Sequence, residues 1–183
     1  MRFRPDDALL VVDIQRDFCA GGSLAIARAD EIVPAINRLI GDAIPAGATV
    51  VACRDWHPEN HVSFTARGGA WPPHCVAGTK GAEFHSDLRL PLGTPVISKG
   101  VDPDRDEYSA FERTGLLERL RRKGTRRILL CGLALDFCVR ASALDAARAG
   151  LETHVALEAT RPVTQADGEA AIREMRRAGV VVE

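Results

Sequence analysis

Short apolar runs alternate with helical patterns from one end of the chain to the other. The runs at 8–12, 49–53, 94–98, 127–131, 152–156 and 180–182 are rich in Val, Ile or Leu and lack polar alternation. Strands of a parallel sheet covered on both faces have this pattern. Between them, residues 30–44, 111–123, 138–149 and 165–177 read as helices. Asp30 is placed as the N-cap of the first, and Thr164 and Asp167 form a variant capping box before the last. Gly124, Gly150 and Gly179 stand where helix C-termini should fall. This rhythm predicts an α/β, doubly wound (Rossmann-like) three-layer fold with a mostly parallel sheet of about six strands.

The rhythm breaks once. Residues 54–91 are too long for a connection between strand and helix, and they hold four of the five histidines and both tryptophans. Ordered loops of this length inside a compact unit are usually functional. The 183 residues are expected to form one domain, 1–183, with 54–91 as its insertion.

Charge narrows the function classes. With 24 basic and 25 acidic residues and a net charge of −1, the chain lacks the basic surplus of a nucleic-acid or membrane-surface binder. The compact basic run, Arg119-Leu120-Arg121-Arg122-Lys123, reads as the solvated end of a helix. No apolar run approaches the ~20 residues of a membrane span. No signal-like segment precedes the first strand, so the chain is expected to be cytoplasmic. The five cysteines are odd in number and contain no CxxC pair, which argues for free thiols. Only three of the basic residues, Lys80, Lys99 and Lys123, are lysine. A lysine kept in so arginine-rich a chain calls for a reason.

In open α/β sheets the ligand binds beyond the carboxyl ends of the strands. The first polar residues past successive strands are Asp13, Asp55 and Lys99, with Cys138 after the fourth at the start of a helix. A helix start lowers a thiol pKa from ~8.5, and a nearby Lys99 would lower it further. Asp13 is then suited to take the thiol proton, and the N–H groups of Ala134 and Cys138 to form an oxyanion hole. Cys53 and Cys131 read as core, Cys19 and Cys75 as packing, and His85 and His154 as structural. Asp55, His57 and His74 offer the carboxylate and imidazoles that zinc, iron or manganese prefer, with coordination left open for water or substrate. No GxGxxG or GxxxxGK[ST] motif occurs, which disfavours nucleotide binding.

Four segments resemble the successive motifs of nicotinamidase/pyrazinamidase enzymes in the isochorismatase-like cysteine hydrolase superfamily. They are Val11-Val12-Asp13-Ile14-Gln15-Arg16-Asp17-Phe18, Asp55-Trp56-His57-Pro58-Glu59-Asn60-His61-Val62-Ser63-Phe64, Trp71-Pro72-Pro73-His74-Cys75-Val76 and Cys131-Gly132-Leu133-Ala134-Leu135-Asp136-Phe137-Cys138-Val139. The resemblance implies a catalytic triad of Cys138, Asp13 and Lys99, and one divalent metal ion (Zn, Fe or Mn) on Asp55, His57 and His74. In some relatives the position of His61 also contacts the metal, and Ser63 is implied to act through a bound water. Phe18, Trp71 and Tyr108 would form the substrate pocket, and a cis peptide is implied between Leu133 and Ala134. Leu135 stands where most such enzymes have Thr, which removes a hydroxyl beside the nucleophile.

The activity implied is hydrolysis of nicotinamide, and of pyrazinamide, through a thioester, with nicotinamide as the small-molecule partner and neither nucleic acid nor membrane. The alternative is an amidohydrolase of the same superfamily acting on a carbamoyl or ureido substrate. The sequence is compatible with either a monomer or a homo-oligomer.

Overall fold

The computed structural model describes residues 2–183. Its strands are β1 (Asp7–Val12), β2 (Thr49–Asp55), β3 (Val96–Lys99), β4 (Arg127–Leu133), β5 (Glu152–Arg161) and β6 (Val181–Val182). All six are parallel, in the order β3-β2-β1-β4-β5-β6. The helices are α1 (Val33–Ala43), α2 (Leu116–Arg122), α3 (Arg140–Arg148) and α4 (Gln165–Arg177). The predicted doubly wound α/β architecture is what forms.

The sheet separates two apolar layers. Ala8, Leu10 and Val12 of β1 pack with residues of α2, α3 and α4, while Leu9 and Val11 pack with α1. Every residue of β1 is buried. This two-sided burial is why the strands carry apolar runs instead of alternation.

Strand order reverses between β1 and β4, and such a switch point opens a crevice at the carboxyl ends of the two strands. Register puts the rim in one place. Val12, at the end of β1, is level with Cys53 on β2 and Gly132 on β4, and Asp55 is level with Lys99. Gly132 has φ +116°, and a Cβ there would lie 1.9 Å from the Val12 carbonyl oxygen, so the two central strands meet more closely than a side chain permits.

Several boundaries differ from the sequence reading. Strands β2 and β3 run on to include Asp55 and Lys99 themselves. Residues 29–32 form a 3₁₀ turn, and α1 starts beside Pro34, whose missing N–H suits a first turn. Asp30 is therefore not an N-cap; its carboxylate accepts the Ala20 N–H at 3.0 Å. The helix expected over 111–123 shrinks to α2, because Gly115 stands in front of it with φ +73°, a left-handed conformation that no helix continues through. The helix expected from residue 138 is a π turn, Leu135–Val139, leading into α3. Thr164 caps α4 as predicted, accepting from the Asp167 N–H.

Leu130 is fully buried at the centre of the sheet, whereas Thr164 stabilises a single exposed helix end. Leu130→Ala is expected to lower the unfolding free energy by about 3 kcal/mol and Thr164→Ala by about 1 kcal/mol. Urea titration followed by circular dichroism measures both, and equal losses would contradict this packing.

Candidate active site

Four strand ends deliver four reactive groups to one point. Lys99 Nζ lies 2.9 Å from Asp13 Oδ2 and 3.2 Å from Cys138 Sγ, and it pairs with Asp55 Oδ1. All four side chains are buried. Asp13 follows β1 with φ +50°, a left-handed value unusual for a residue with a side chain. Its N–H is held by the Cys53 carbonyl at 3.0 Å, which fixes the turn. The buried Asp13 carboxylate is within hydrogen-bonding reach of both the Lys99 ammonium and the Cys138 thiol. The turn thus presents a carboxylate acceptor to the thiol.

The charges follow from this packing. Burial opposes the Lys99 ammonium, but the Asp13 and Asp55 carboxylates outweigh it and hold its pKa well above the usual value. Burial raises the Asp13 carboxyl to about 6 against the pull of Lys99. Asp55 is also penalised by burial, yet Lys99 and His57 keep its carboxyl below the ordinary range. The Cys138 thiol is pushed well above its usual pKa by burial, with Lys99 opposing and the two carboxylates adding to the rise. This corrects the sequence expectation of a lowered thiol pKa. A π turn replaces the helix start, and two carboxylates share the pocket with the single ammonium. Cys138 rests as a thiol and needs a base.

A second group adjoins the first. Ligand atoms of Asp55, His57 and His74 all lie within 4.8 Å of one another, and all three residues are buried. His57 Nδ1–H donates to the Gly100 carbonyl at 2.9 Å and His74 Nδ1–H to the Pro72 carbonyl at 2.8 Å. Each backbone oxygen fixes the tautomer, so both Nε2 lone pairs are free, as metal ligation requires. His57 Nε2 is 3.6 Å from Asp55 Oδ2. Burial also lowers the His74 pKa and favours its neutral, ligating form. These residues fit a divalent cation.

The same criterion rejects other histidines. Cys19, Asp30 and His85 also cluster, but His85 Nδ1 accepts the Asp87 N–H at 3.1 Å. Its Nε2 therefore carries the proton, which it donates to Asp30 at 3.2 Å. That cluster is a structural tie. His61 stacks on His57 with ring centroids 4.1 Å apart. Its Nε2–H donates to the Arg105 carbonyl at 2.8 Å, and its Nδ1 accepts from the Ser63 hydroxyl at 2.7 Å. With both nitrogens engaged, His61 supports the ligand shell and stands outside the group of donor atoms; Ser63 is turned to His61.

Phe18, Trp71 and Tyr108 line a pocket that also exposes Asp55, His74, Ala134 and Cys138. Trp71 Nε1–H donates to the Tyr108 hydroxyl at 3.0 Å. Phe137 meets the Trp71 ring edge-on with centroids 5.1 Å apart. The Leu133–Ala134 peptide is cis. Leu135 is buried in the apolar layer shared with α3 and α4, where a hydroxyl would have to find a partner.

The sequence reading missed five contributors. Phe137 adjoins the nucleophile and was open to inference from that position. Leu24, Ala25 and Ile26 add to the pocket wall but carry no chemical signature. Gln15 is fully buried; its amide accepts the Asp55 N–H at 2.8 Å and donates to the Asp55 carbonyl at 2.7 Å, which clamps the end of β2.

Comparison with known proteins places this geometry. The isochorismatase domain family matches residues 7–183. A nicotinamidase/pyrazinamidase of Mycobacterium tuberculosis is 41% identical over 94% of this chain and 96% of its own length. The crystal structure of a pyrazinamidase of Pyrococcus horikoshii in complex with zinc superposes with a TM-score of 0.95 at 46% identity, covering 98% of this chain and 99% of that one. A structure from L. infantum in complex with nicotinate gives a TM-score of 0.94 at 38% identity, covering 100% of this chain and 95% of that one. With a family match across nearly all of its residues, the chain belongs to the isochorismatase family.

Proposed function

We propose that this protein is a nicotinamidase, converting nicotinamide to nicotinate and ammonia, and pyrazinamide to pyrazinoate, as a cytoplasmic enzyme of pyridine nucleotide salvage. Residues 1–183 act as one hydrolase domain, with 54–91 the insertion that brings in the metal ligands and part of the pocket. The observation that carries this reading is the Lys99 ammonium in contact with Asp13 and Cys138, beside the free imidazole lone pairs of His57 and His74.

The carboxamide enters the pocket between Phe18, Trp71 and Tyr108 with its carbonyl carbon toward Cys138. Asp13, whose carboxylate is in hydrogen-bonding contact with the thiol, takes its proton, and the sulfur attacks the carbonyl carbon. The N–H groups of Ala134 and Cys138 serve as donors to the resulting oxyanion. Asp13 returns its proton to the departing nitrogen, the C–N bond breaks, and ammonia leaves a thioester on Cys138. Asp13 then takes a proton from an incoming water, which attacks the thioester; the acid leaves and the thiol is restored. Lys99 stays charged throughout and offsets the negative charge that passes between Asp13 and Cys138. A zinc, iron or manganese ion on Asp55, His57 and His74 would supply a Lewis-acidic anchor for a heteroaromatic ring nitrogen.

Three outcomes test this reading. Cys138→Ala should abolish ammonia release from nicotinamide while the circular dichroism spectrum and bound metal stay unchanged; retained activity would overturn the assignment. Lys99→Arg should lower kcat/KM by about 100-fold or more, because a guanidinium fork cannot take the place of a compact buried ammonium. Metal removal by a chelator should suppress nicotinamide hydrolysis and re-addition restore it; nicotinamide turnover indifferent to the chelator would contradict the metal's role, and purified protein without stoichiometric metal would favour a carbamoyl or ureido substrate instead.

The pH profile supplies a further test. Asp13 must be ionised to act as base, and burial raises its carboxyl to about 6. Activity is therefore full above that value and falls as pH drops through it, with kcat/KM losing about tenfold per unit on the acid side. A profile flat down to pH values near the ordinary carboxylate range, about 4, would contradict this role for Asp13.

A further inference from the structure

Glu107 is a buried carboxylate that the mechanism does not use. Its side chain is 4% exposed, it does not line the substrate pocket, and it does not belong to the group of metal donor atoms. A carboxylate taken out of water is costly unless it is paired or hydrogen-bonded. Glu107 Oε2 accepts the Gly100 N–H at 3.3 Å, and Oε1 lies 3.8 Å from Arg113 Nε.

The Gly100 N–H belongs to the peptide that leaves Lys99. The carbonyl of that same peptide accepts the Trp56 N–H at 3.0 Å, so both of its polar groups are held, one by the strand-end loop and one by Glu107. The next carbonyl, that of Gly100, fixes His57 Nδ1 at 2.9 Å. Contact here is close: Gly100 has φ +63°, and a Cβ on it would lie 2.3 Å from His57 Cε1. Any shift of Gly100 is passed directly to the imidazole. The segment around Glu107 also carries Arg105, whose carbonyl holds His61, and Tyr108, which lines the pocket.

We propose that Glu107 is a positioning residue, whose carboxylate pins the Lys99–Gly100 peptide and through it sets the His57 ring as a metal ligand and Lys99 beside Cys138. The inference rests on the reading of the site as a metal-holding amidase centre, and it adds a residue outside that centre on which both halves depend. Its action is geometric. What counts is an oxygen at the reach of a glutamate side chain, not the negative charge.

Glu107→Gln keeps that reach and loses the charge; Glu107→Asp keeps the charge and withdraws the oxygen by one methylene; Glu107→Ala removes both. Zinc affinity, read by chelator competition on the purified proteins, and the visible absorption of the cobalt(II)-loaded forms report on His57 without reference to turnover. Glu107→Asp and Glu107→Ala are expected to weaken zinc binding about 10-fold or more, shift the cobalt spectrum and lower kcat more than they raise KM. Glu107→Gln should stay within about threefold of the wild type, on the scale of a retained hydrogen bond. The reverse order, with Asp preserved and Gln impaired, would replace position by charge and overturn the proposal. So would wild-type zinc affinity and cobalt spectrum in Glu107→Asp, or a lowered Tm as the sole effect. If Glu107→Ala fails to fold, the Asp and Gln pair decides the matter alone. Wild-type protein that binds zinc but releases no ammonia from nicotinamide would refute the proposed substrate while leaving the zinc comparison valid. Wild-type protein that binds no zinc would overturn the positioning inference itself.

Discussion

A fully buried ammonium organises this molecule. Lys99 lies among Asp13, Asp55 and Cys138 with no exposed side-chain surface, where an unpaired charge would cost several kcal/mol. Two carboxylates on neighbouring strands make its burial tolerable, and it in turn makes theirs tolerable. Removing Lys99 would leave two buried carboxylates with no cation between them. The parallel sheet meets this demand because β1, β2 and β3 are adjacent and in register, so Asp13, Asp55 and Lys99 reach the rim together. The strand-order reversal at β1 and β4 then brings Cys138 across the crevice.

Asp55 joins the two halves of the site. One of its oxygens pairs with Lys99 and the other faces His57, so the nucleophile and the metal-ligand group share a carboxylate. Gln15 holds the Asp55 backbone from behind through two buried hydrogen bonds. The electrostatic consequence is a thiol that does not ionise unaided. Burial beside two carboxylates keeps the proton on Cys138, and Asp13, its own pKa raised, is the adjacent group able to accept it. Base and nucleophile are each made less acidic by the same dry environment.

Much of this was legible in the residues. Apolar runs without alternation identified the strands because both faces of the sheet are covered, and the carboxyl-end rule alone led to Asp13, Asp55, Lys99 and Cys138. The scarcity of lysine marks three residues, and of these the carboxyl-end rule picks Lys99. Other features depended on contacts between distant segments. Gly115 truncates α2 through a left-handed conformation that a helical pattern does not advertise. The tautomers that separate His57 and His74 from His85 are set by backbone partners at Gly100, Pro72 and Asp87, and those partners exist only once the loops have folded. The raised thiol pKa has the same kind of origin: burial, which no local motif displays, outweighs the helix-start and lysine effects that would lower it.

The central claim is that Cys138, deprotonated by Asp13 beside Lys99, carries the acyl group of the substrate. Turnover of nicotinamide in the presence of hydroxylamine, with acid-quenched samples read by intact-protein and peptide mass spectrometry, tests it most directly. The account predicts a nicotinoyl group on Cys138 during turnover and nicotinohydroxamate formed at the expense of nicotinate. Ammonia released at full rate with neither the adduct nor the hydroxamate would contradict it.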